Sequence, residues 1–524
     1  FSIDHLNKEE IMSNSRRNFL KKASILAMPV VTVSNSSYAA DCCDKSMRWD
    51  KECDVVVLGA GGAGLHAAIQ AHDAGGEVVL CNKSTNSYFS ATALCGGLFS
   101  AFNSRKQRDE NIHDAVEEFT QDMLQYGGYW ANIDLLRTYA RYSGIVFDWM
   151  MDHGLEENFF EHYLEHRNLR AVRQKSYTGK DYINILVSEV NRRSIERYDN
   201  CAVIKFFYEI TQNKVLGVEV ANKNRKMTIR VRRGVVLATG GFIGNISAVD
   251  RWVPALGKTG VVLNIAANDG TALMTAVRDF GVPLTHMQFV VGYPNGVLDD
   301  EKHRSGTVCR IWYHIAEGAI LVDKTGYRFT QETQGICHIT PHIATLPGRR
   351  HYLVMDKTMW EAVLKKYPAG AFGWDNQRVE VELDKGIALV RANSIQLLAK
   401  KAGLNEKGLV AQVAQWNKAV DKGRDDQFGR TGFQRRIEKG PFYLVVLSTY
   451  TIISSGGLCC NDRMQVLRWD DEPIGGLYAA GESVGAIHGN SYCGGCANGF
   501  AQTSGWVAGR LVMGASLPQV PDRS

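Results

Sequence analysis

Apolar residues along this chain come in short unbroken runs that stop at glycine clusters. The run Val55–Leu58 has no polar position, the pattern of a strand covered on both faces, and it ends at Gly59. Small and apolar residues continue through Leu65–Ala74, which predicts a helix, and Glu77–Cys81 predicts a second strand. Val235–Asn245 repeats the theme, a strand running into Thr239-Gly240-Gly241, and Glu472–Glu482 repeats it near the C-terminus. A strand–turn–helix–strand opening followed by further strand–glycine units predicts an α/β fold with a Rossmann-like sheet. No internal repeat or low-complexity tract interrupts it.

One apolar run is different. Ala23–Val33 contains Pro29 and is shorter than the roughly 20 residues needed to span a bilayer. It follows the doublet Arg16-Arg17 and precedes Ala39-Ala40. This arrangement resembles a twin-arginine export signal, so residues 1–40 are read as extension plus signal, with residues 1–11 lying upstream of Met12. The expected protein is periplasmic or otherwise exported, begins near Ala40 or Asp41, and has no membrane-spanning segment once mature.

At 524 residues the chain is long enough for two domains. A formal charge of +5, with basic residues scattered, argues against a duplex-binding face, so no nucleic-acid partner is expected. Most of the 12 cysteines, Cys81 and Cys201 among them, stand singly in apolar surroundings. No C-x-x-C-H motif offers covalent haem attachment. The Cys493-x-x-Cys496 spacing suits packing in a tight loop, a redox dithiol or half of an iron–sulfur site. "CHITPH" (Cys337–His342) has ligand-like residue types at a spacing that fits no metal site, and no metal is expected.

The glycine clusters carry the cofactor chemistry. Gly59, Gly61 and Gly64 form G-x-G-x-x-G between strand and helix: a tight turn, a close approach for a pyrophosphate, and close helix–strand packing. Asn82 stands where an acidic residue commonly accepts ribose hydroxyls; its carbonyl can accept one without a charge. Together with "CGG" (Cys95–Gly97), "ATGGF", "GAILVDKTGYRFTQE" (Gly318–Glu332), "KGPFY" (Lys439–Tyr443) and "GLYAAGE", this fingerprint resembles the FAD-binding family that contains soluble fumarate reductases and 3-ketosteroid dehydrogenases. The resemblance implies FAD, held by Asn82, Lys83, Gly96, Gly97, Thr239, Gly240, Gly241, Gly481, Glu482 and Gly495 as well as the fingerprint glycines. It also implies a split FAD-binding domain, residues 41–275 and 446–524, around an inserted α+β substrate-capping domain, residues 276–445.

The same resemblance directs attention to the substrate positions. Where fumarate reductases hold a dicarboxylate with arginines and histidines, ungapped spacing finds Trp312, Ile315, Ile336, Ile453 and Tyr492. Two carboxylates there would be desolvated without cationic partners, so a neutral, bulky substrate is expected. Tyr492, in "HGNSYCGGCANG", resembles the tyrosine that ketosteroid dehydrogenases set against a ketone, with a backbone N–H from Gly495 or Cys496 as second donor. Two such donors would stabilise an enolate. Tyr313 is the first candidate, and Tyr450 the second, to handle the proton of the α-carbon. The function implied is oxidation–reduction of a C=C/CH–CH bond conjugated to the carbonyl of a 3-ketosteroid or other enone, in the reducing direction. Electrons would come from a separate cytochrome or quinone-linked protein. Desaturation of a ketosteroid remains open, as do reduction of an unsaturated acid through Arg304, Arg310 or Arg349 and a purely electron-transferring flavoprotein.

Overall fold

The computed structural model describes residues 47–523 except 164, 223–224, 257–259, 263–266, 301–304, 335, 367–373, 433–434 and 492. The twin-arginine segment, Arg304 and Tyr492 therefore lie outside the described residues.

The predicted opening unit is present with shifted edges. Strand Lys51–Leu58 leads into helix Gly62–Asp73, which starts three residues earlier than the apolar pattern suggested, and then into strand Val78–Cys81. Lys51–Leu58 pairs in parallel with Val78–Cys81 on one side and Lys226–Leu237 on the other. Both neighbours and the helix exclude water, which is why Val55–Val57 are fully buried. The strand predicted at Val235–Asn245 is the end of the longer Lys226–Leu237, so its glycines already lie in the loop beyond.

The C-terminal segment completes this sheet. Strand Pro473–Ala479 runs parallel to Lys226–Leu237. Helix Cys496–Val512 crosses the first helix closely: a Cβ at Gly505 would lie 2.0 Å from the Ala63 carbonyl oxygen, and one at Gly509 would lie 2.4 Å from that of Ala67. Two ends of the sequence thus form one Rossmann-like α/β unit, an eight-stranded sheet in all.

A seven-stranded sheet lies between them in sequence. Its long strand, Phe442–Ser454, pairs antiparallel with Val290–Asp300 and Arg350–Asp356. Helix Thr271–Phe280, by contrast, buries Leu273 and Ala276 in the core of the first sheet. Strand Leu284–Thr285 pairs with Gly457–Leu458. A three-stranded sheet, Leu98–Ser100, Ala171–Gln174 and Glu157–Phe160, was not foreseen. Its strands are 3 to 4 residues long, too short for a period to show. Among the described residues, no helix is long and apolar enough to cross a membrane.

Candidate active site

The first strand stops where a cavity begins. Gly59 takes φ +105°, and a Cβ there would stand 2.2 Å from the Ala238 carbonyl oxygen. Gly61 meets a different constraint. The nearest atom to its Cβ would be Ser90 Cβ at 3.5 Å, and Gly61 lies on the cavity wall. Its missing side chain leaves room for an occupant and is not required by the fold.

The cavity measures about 900 Å³, at the upper end for cofactor and small-molecule sites. Its wall takes in Gly59, Gly61, Asn82, Lys83, Gly96, Thr239, Gly240, Gly481, Glu482 and Gly495. The wall does not include Gly64, Gly97 or Gly241. These three pack: their Cβ atoms would meet Gly59 O at 1.8 Å, Gln174 Nε2 at 1.7 Å and Ser454 Oγ at 1.8 Å.

The polar groups suit FAD. Asn82 Nδ2 donates to Asp199 Oδ1 at 2.8 Å and to the Ser84 carbonyl at 3.1 Å, so the amide oxygen is the end left to accept a ribose hydroxyl. Glu482 accepts from Ser454 N at 2.7 Å, Ser454 Oγ at 2.8 Å and Asn268 Nδ2 at 3.2 Å. Burial still pushes its carboxyl above the ordinary carboxylate range, against those three donors. Such a group is held ready for hydroxyls it must desolvate to meet.

This has a stability consequence. Folding raises the Glu482 pKa, so its protonated form favours the fold; the contribution is fully present below the unfolded pKa and is lost as pH rises through the folded one. Glu482→Gln is expected to raise the melting temperature of the FAD-free protein at pH 7 by about 2 °C. The same change should weaken FAD binding about tenfold. Thermal melts with and without FAD at pH 5 and 7 check both signs; a lower apo melting temperature at pH 7 contradicts the account.

Away from the nucleotide turn, the second sheet supplies the wall. Tyr293, Tyr450 and Ile453 of its strands line it together with Trp312 of helix Ile311–Ala316, and Trp312, Tyr293 and Ala497 pack around Ile453. Tyr450 and Ile453 are three apart, an odd spacing for one strand face. A bulge reconciles them: Val291 pairs with Ile453 but Gly292 with Thr451, two residues against one. Tyr313, the first-named proton-handling candidate, is half-buried with its ring 5.9 Å from the Arg310 guanidinium, and it is not on the wall. Tyr450 is 8% exposed and is on it.

Ser491 and Cys493, on either side of Tyr492, are buried. The Cys496 N–H already donates to the Cys493 carbonyl at 3.1 Å, which leaves Gly495 as the backbone donor of the two considered. Both sulfurs of the Cys-x-x-Cys belong to the apolar core while Gly494 and Gly495 form the wall, so the pair packs behind the cavity. The reading of Cys81 and Cys201 as single thiols is corrected. Both line the cavity and they hydrogen-bond to each other, because Cys201 N is tied to the Asn82 carbonyl at 2.7 Å, beside Cys81.

Charged side chains do reach the wall at positions other than those the family spacing singled out. Lys83 and Arg173 reach the wall, as do Glu165 and Asp269. Lys83 Nζ meets Asp269 Oδ2 at 2.5 Å, and although burial opposes ionisation of Asp269, Lys83 and Thr271 hold its carboxyl below the usual range. Arg173 is paired with Glu161. Burial pushes the Glu165 carboxyl up, and it pushes wall residue His488 down to about 4, leaving that ring neutral at pH 7. Arg310 and Arg349 are not on the wall. Glu332, at the end of the "GYRFTQE" segment, is fully buried and accepts Arg328 Nε at 2.7 Å and Nη2 at 2.6 Å, a structural clasp beside wall residues Thr333 and Gln334. Among the described residues, no cluster of three His, Cys, Asp or Glu could hold a metal ion.

Comparison with known proteins agrees with this geometry. The sequence pattern of the FAD binding domain family matches residues 54–498. An NADH:fumarate oxidoreductase of Klebsiella pneumoniae is 31% identical over 465 residues, 88% of this chain; the chain spans 47% of that protein's length. The open conformation of a flavocytochrome c3 fumarate reductase superposes with a TM-score of 0.75 at 25% identity, covering 89% of this chain and 78% of that one. A 3-ketosteroid delta1-dehydrogenase from Sterolibacterium denitrificans gives a TM-score of 0.74 at 18% identity, covering 88% of this chain and 99% of that one, a likeness that shows the fold alone. These similarities give no preference to the ketosteroid branch.

Proposed function

The chain belongs to the FAD binding domain family and is an FAD-binding oxidoreductase, and from that premise we propose that it reduces a C=C bond conjugated to the carbonyl of a neutral, bulky molecule such as a 3-ketosteroid or other enone. The charge balance of the cavity wall carries this reading. Each cationic side chain on the described wall already has a carboxylate partner, Lys83 with Asp269 and Arg173 with Glu161. The second sheet and helix Ile311–Ala316 offer instead the aromatic and aliphatic surface of Tyr293, Trp312, Tyr450 and Ile453. A dicarboxylate entering here would lose its water with no uncommitted cation to receive it.

When bound, FAD supplies the two-electron reduction; the residues named above would hold it. The chain's own part is orientation and proton supply. Tyr492 and the Gly495 N–H donate to the substrate carbonyl, bonds that strengthen as charge develops on the oxygen. Tyr450, on the wall, is preferred to Tyr313 as proton donor to the α-carbon, and a neutral phenol is suited to that direction. The protein is proposed to act after export through the segment in residues 1–40, receiving electrons from a cytochrome or quinone-linked partner.

Titrating the FAD-loaded, oxidised protein with a 4-ene-3-ketosteroid should perturb the flavin absorption saturably. Fumarate at equal concentration should leave it unchanged. The reverse pattern would refute the neutral-substrate reading.

A further inference from the structure

Arg173 lines the cavity, and its surroundings are built for it. Cross-strand pairing sets it opposite Leu98, two residues after wall residue Gly96, and its Nη1 donates to the Gly96 carbonyl at 2.6 Å. It lies close enough to Tyr313 of helix Ile311–Ala316 to interact with that phenol. Glu161 follows the next strand, its backbone N–H bonded to the Ala171 carbonyl at 2.8 Å, which brings its carboxylate alongside the guanidinium. Glu161 Oε2 takes Arg173 Nε at 2.6 Å and also meets Nη2. Glu161 Oε1 accepts the Tyr163 hydroxyl at 2.9 Å, and Arg173 Nη2 donates to that same hydroxyl at 3.4 Å. Tyr163 itself lines the cavity, its ring against the backbone of Gly494.

We propose that Glu161 is a specificity-determining residue: by occupying the Nε–Nη2 edge of Arg173 it prevents the one guanidinium on the described cavity wall from binding a substrate carboxylate, and leaves a single Nη1 N–H that suits a neutral carbonyl. The inference rests on the neutral-substrate reading and deepens it. The physical basis is the fork geometry of arginine. Carboxylates are gripped by two parallel N–H groups on one edge, and here that edge is taken by an internal carboxylate which the Tyr163 hydroxyl holds in place. A ketone oxygen needs only one donor and carries no charge to be compensated. Removing the internal carboxylate should therefore convert the site from carbonyl-selective to carboxylate-accepting while Arg173 stays where Gly96 anchors it.

Glu161 is suited to the test because its side chain is 28% exposed, so Glu161→Gln is not expected to unfold the protein. The probes are trans-cinnamate and benzalacetone, which share a phenyl-substituted C=C bond and differ in carrying a carboxylate or a methyl ketone. Calorimetric binding to the FAD-loaded protein, with turnover measured beside it, should show that Glu161→Gln tightens cinnamate binding at least about tenfold and leaves benzalacetone within about twofold. Adding Arg173→Gln should abolish the gain, which a general loosening of the cavity would not do. Glu161→Ala, which removes the hydrogen bond to Tyr163 as well, should show the same selectivity change. Unchanged cinnamate binding in both Glu161 variants overturns the inference whatever happens with the enone, and so does a gain that survives Arg173→Gln. Failure of the unsubstituted protein to bind benzalacetone or the 4-ene-3-ketosteroid overturns the neutral-substrate reading instead.

Discussion

Gly64→Ala is expected to cost the protein both its fold and its flavin, whereas Gly61→Val should cost only the flavin. The two glycines belong to one motif, but the structure separates their roles. A Cβ on Gly64 would fall 1.8 Å from the Gly59 carbonyl oxygen, a backbone atom held by the φ +105° turn. Nothing flexible can yield, so helix Gly62–Asp73 must move off the strand it covers. Displacing that helix exposes Leu65, Ala68 and Ile69, all fully buried, and a loss above about 3 kcal/mol is expected. Gly61 has open space beyond Ser90, so valine there should fold normally and project into the cavity. Its FAD affinity should drop at least about 100-fold, because the side chain takes the place where a pyrophosphate approaches the backbone. Circular dichroism melts and FAD fluorescence titrations of the two variants check this. A folded, FAD-free Gly64→Ala protein, or a Gly61→Val protein with unaltered affinity, would contradict the division of roles.

The second large effect concerns Tyr492. If its phenol is the donor to the developing enolate, Tyr492→Phe should lower kcat by about 100- to 1000-fold while KM changes little, the signature of a bond made chiefly in the transition state. Tyr450→Phe should also slow turnover, through loss of the proton donor, and the slowing should ease with small exogenous acids. Stopped-flow and steady-state measurement of both variants with a neutral enone separates the roles. Retention of rate in Tyr492→Phe ends the enolate assignment.

Much of the cofactor site is local in sequence, and that is why it was legible. Gly59, Gly61 and Gly64 act within one turn, so spacing alone carries their meaning, and "CGG" and "GLYAAGE" each bring one glycine to the wall, Gly96 and Gly481. The environment of Glu482 was not legible. Ser454 and Asn268 reach it from positions 28 and 214 residues away, a convergence no periodic pattern encodes. The Tyr450–Ile453 wall was hidden by a bulge, since strict alternation would send residues three apart to opposite faces. Arg173 and Glu161 were missed for a third reason. They lie on and beside strands of four residues, and their pairing depends on the register Phe159 to Arg173 across the three-stranded sheet. Counting along family motifs found the positions where arginines are absent; only the fold revealed an arginine on the wall whose charge is already paired.

Neutral-substrate reduction is the central claim, and anaerobic reoxidation tests it most directly. The FAD of the purified protein is reduced with dithionite, excess reductant is removed, and the flavin absorbance is followed after mixing with a 4-ene-3-ketosteroid, benzalacetone, an unsaturated lactone or fumarate. Rapid return of the oxidised spectrum with at least one neutral carbonyl compound, and none with fumarate, is the predicted result. Reoxidation by fumarate alone would contradict it, and would mean that the paired charges of Lys83 and Arg173 open to receive carboxylates after all.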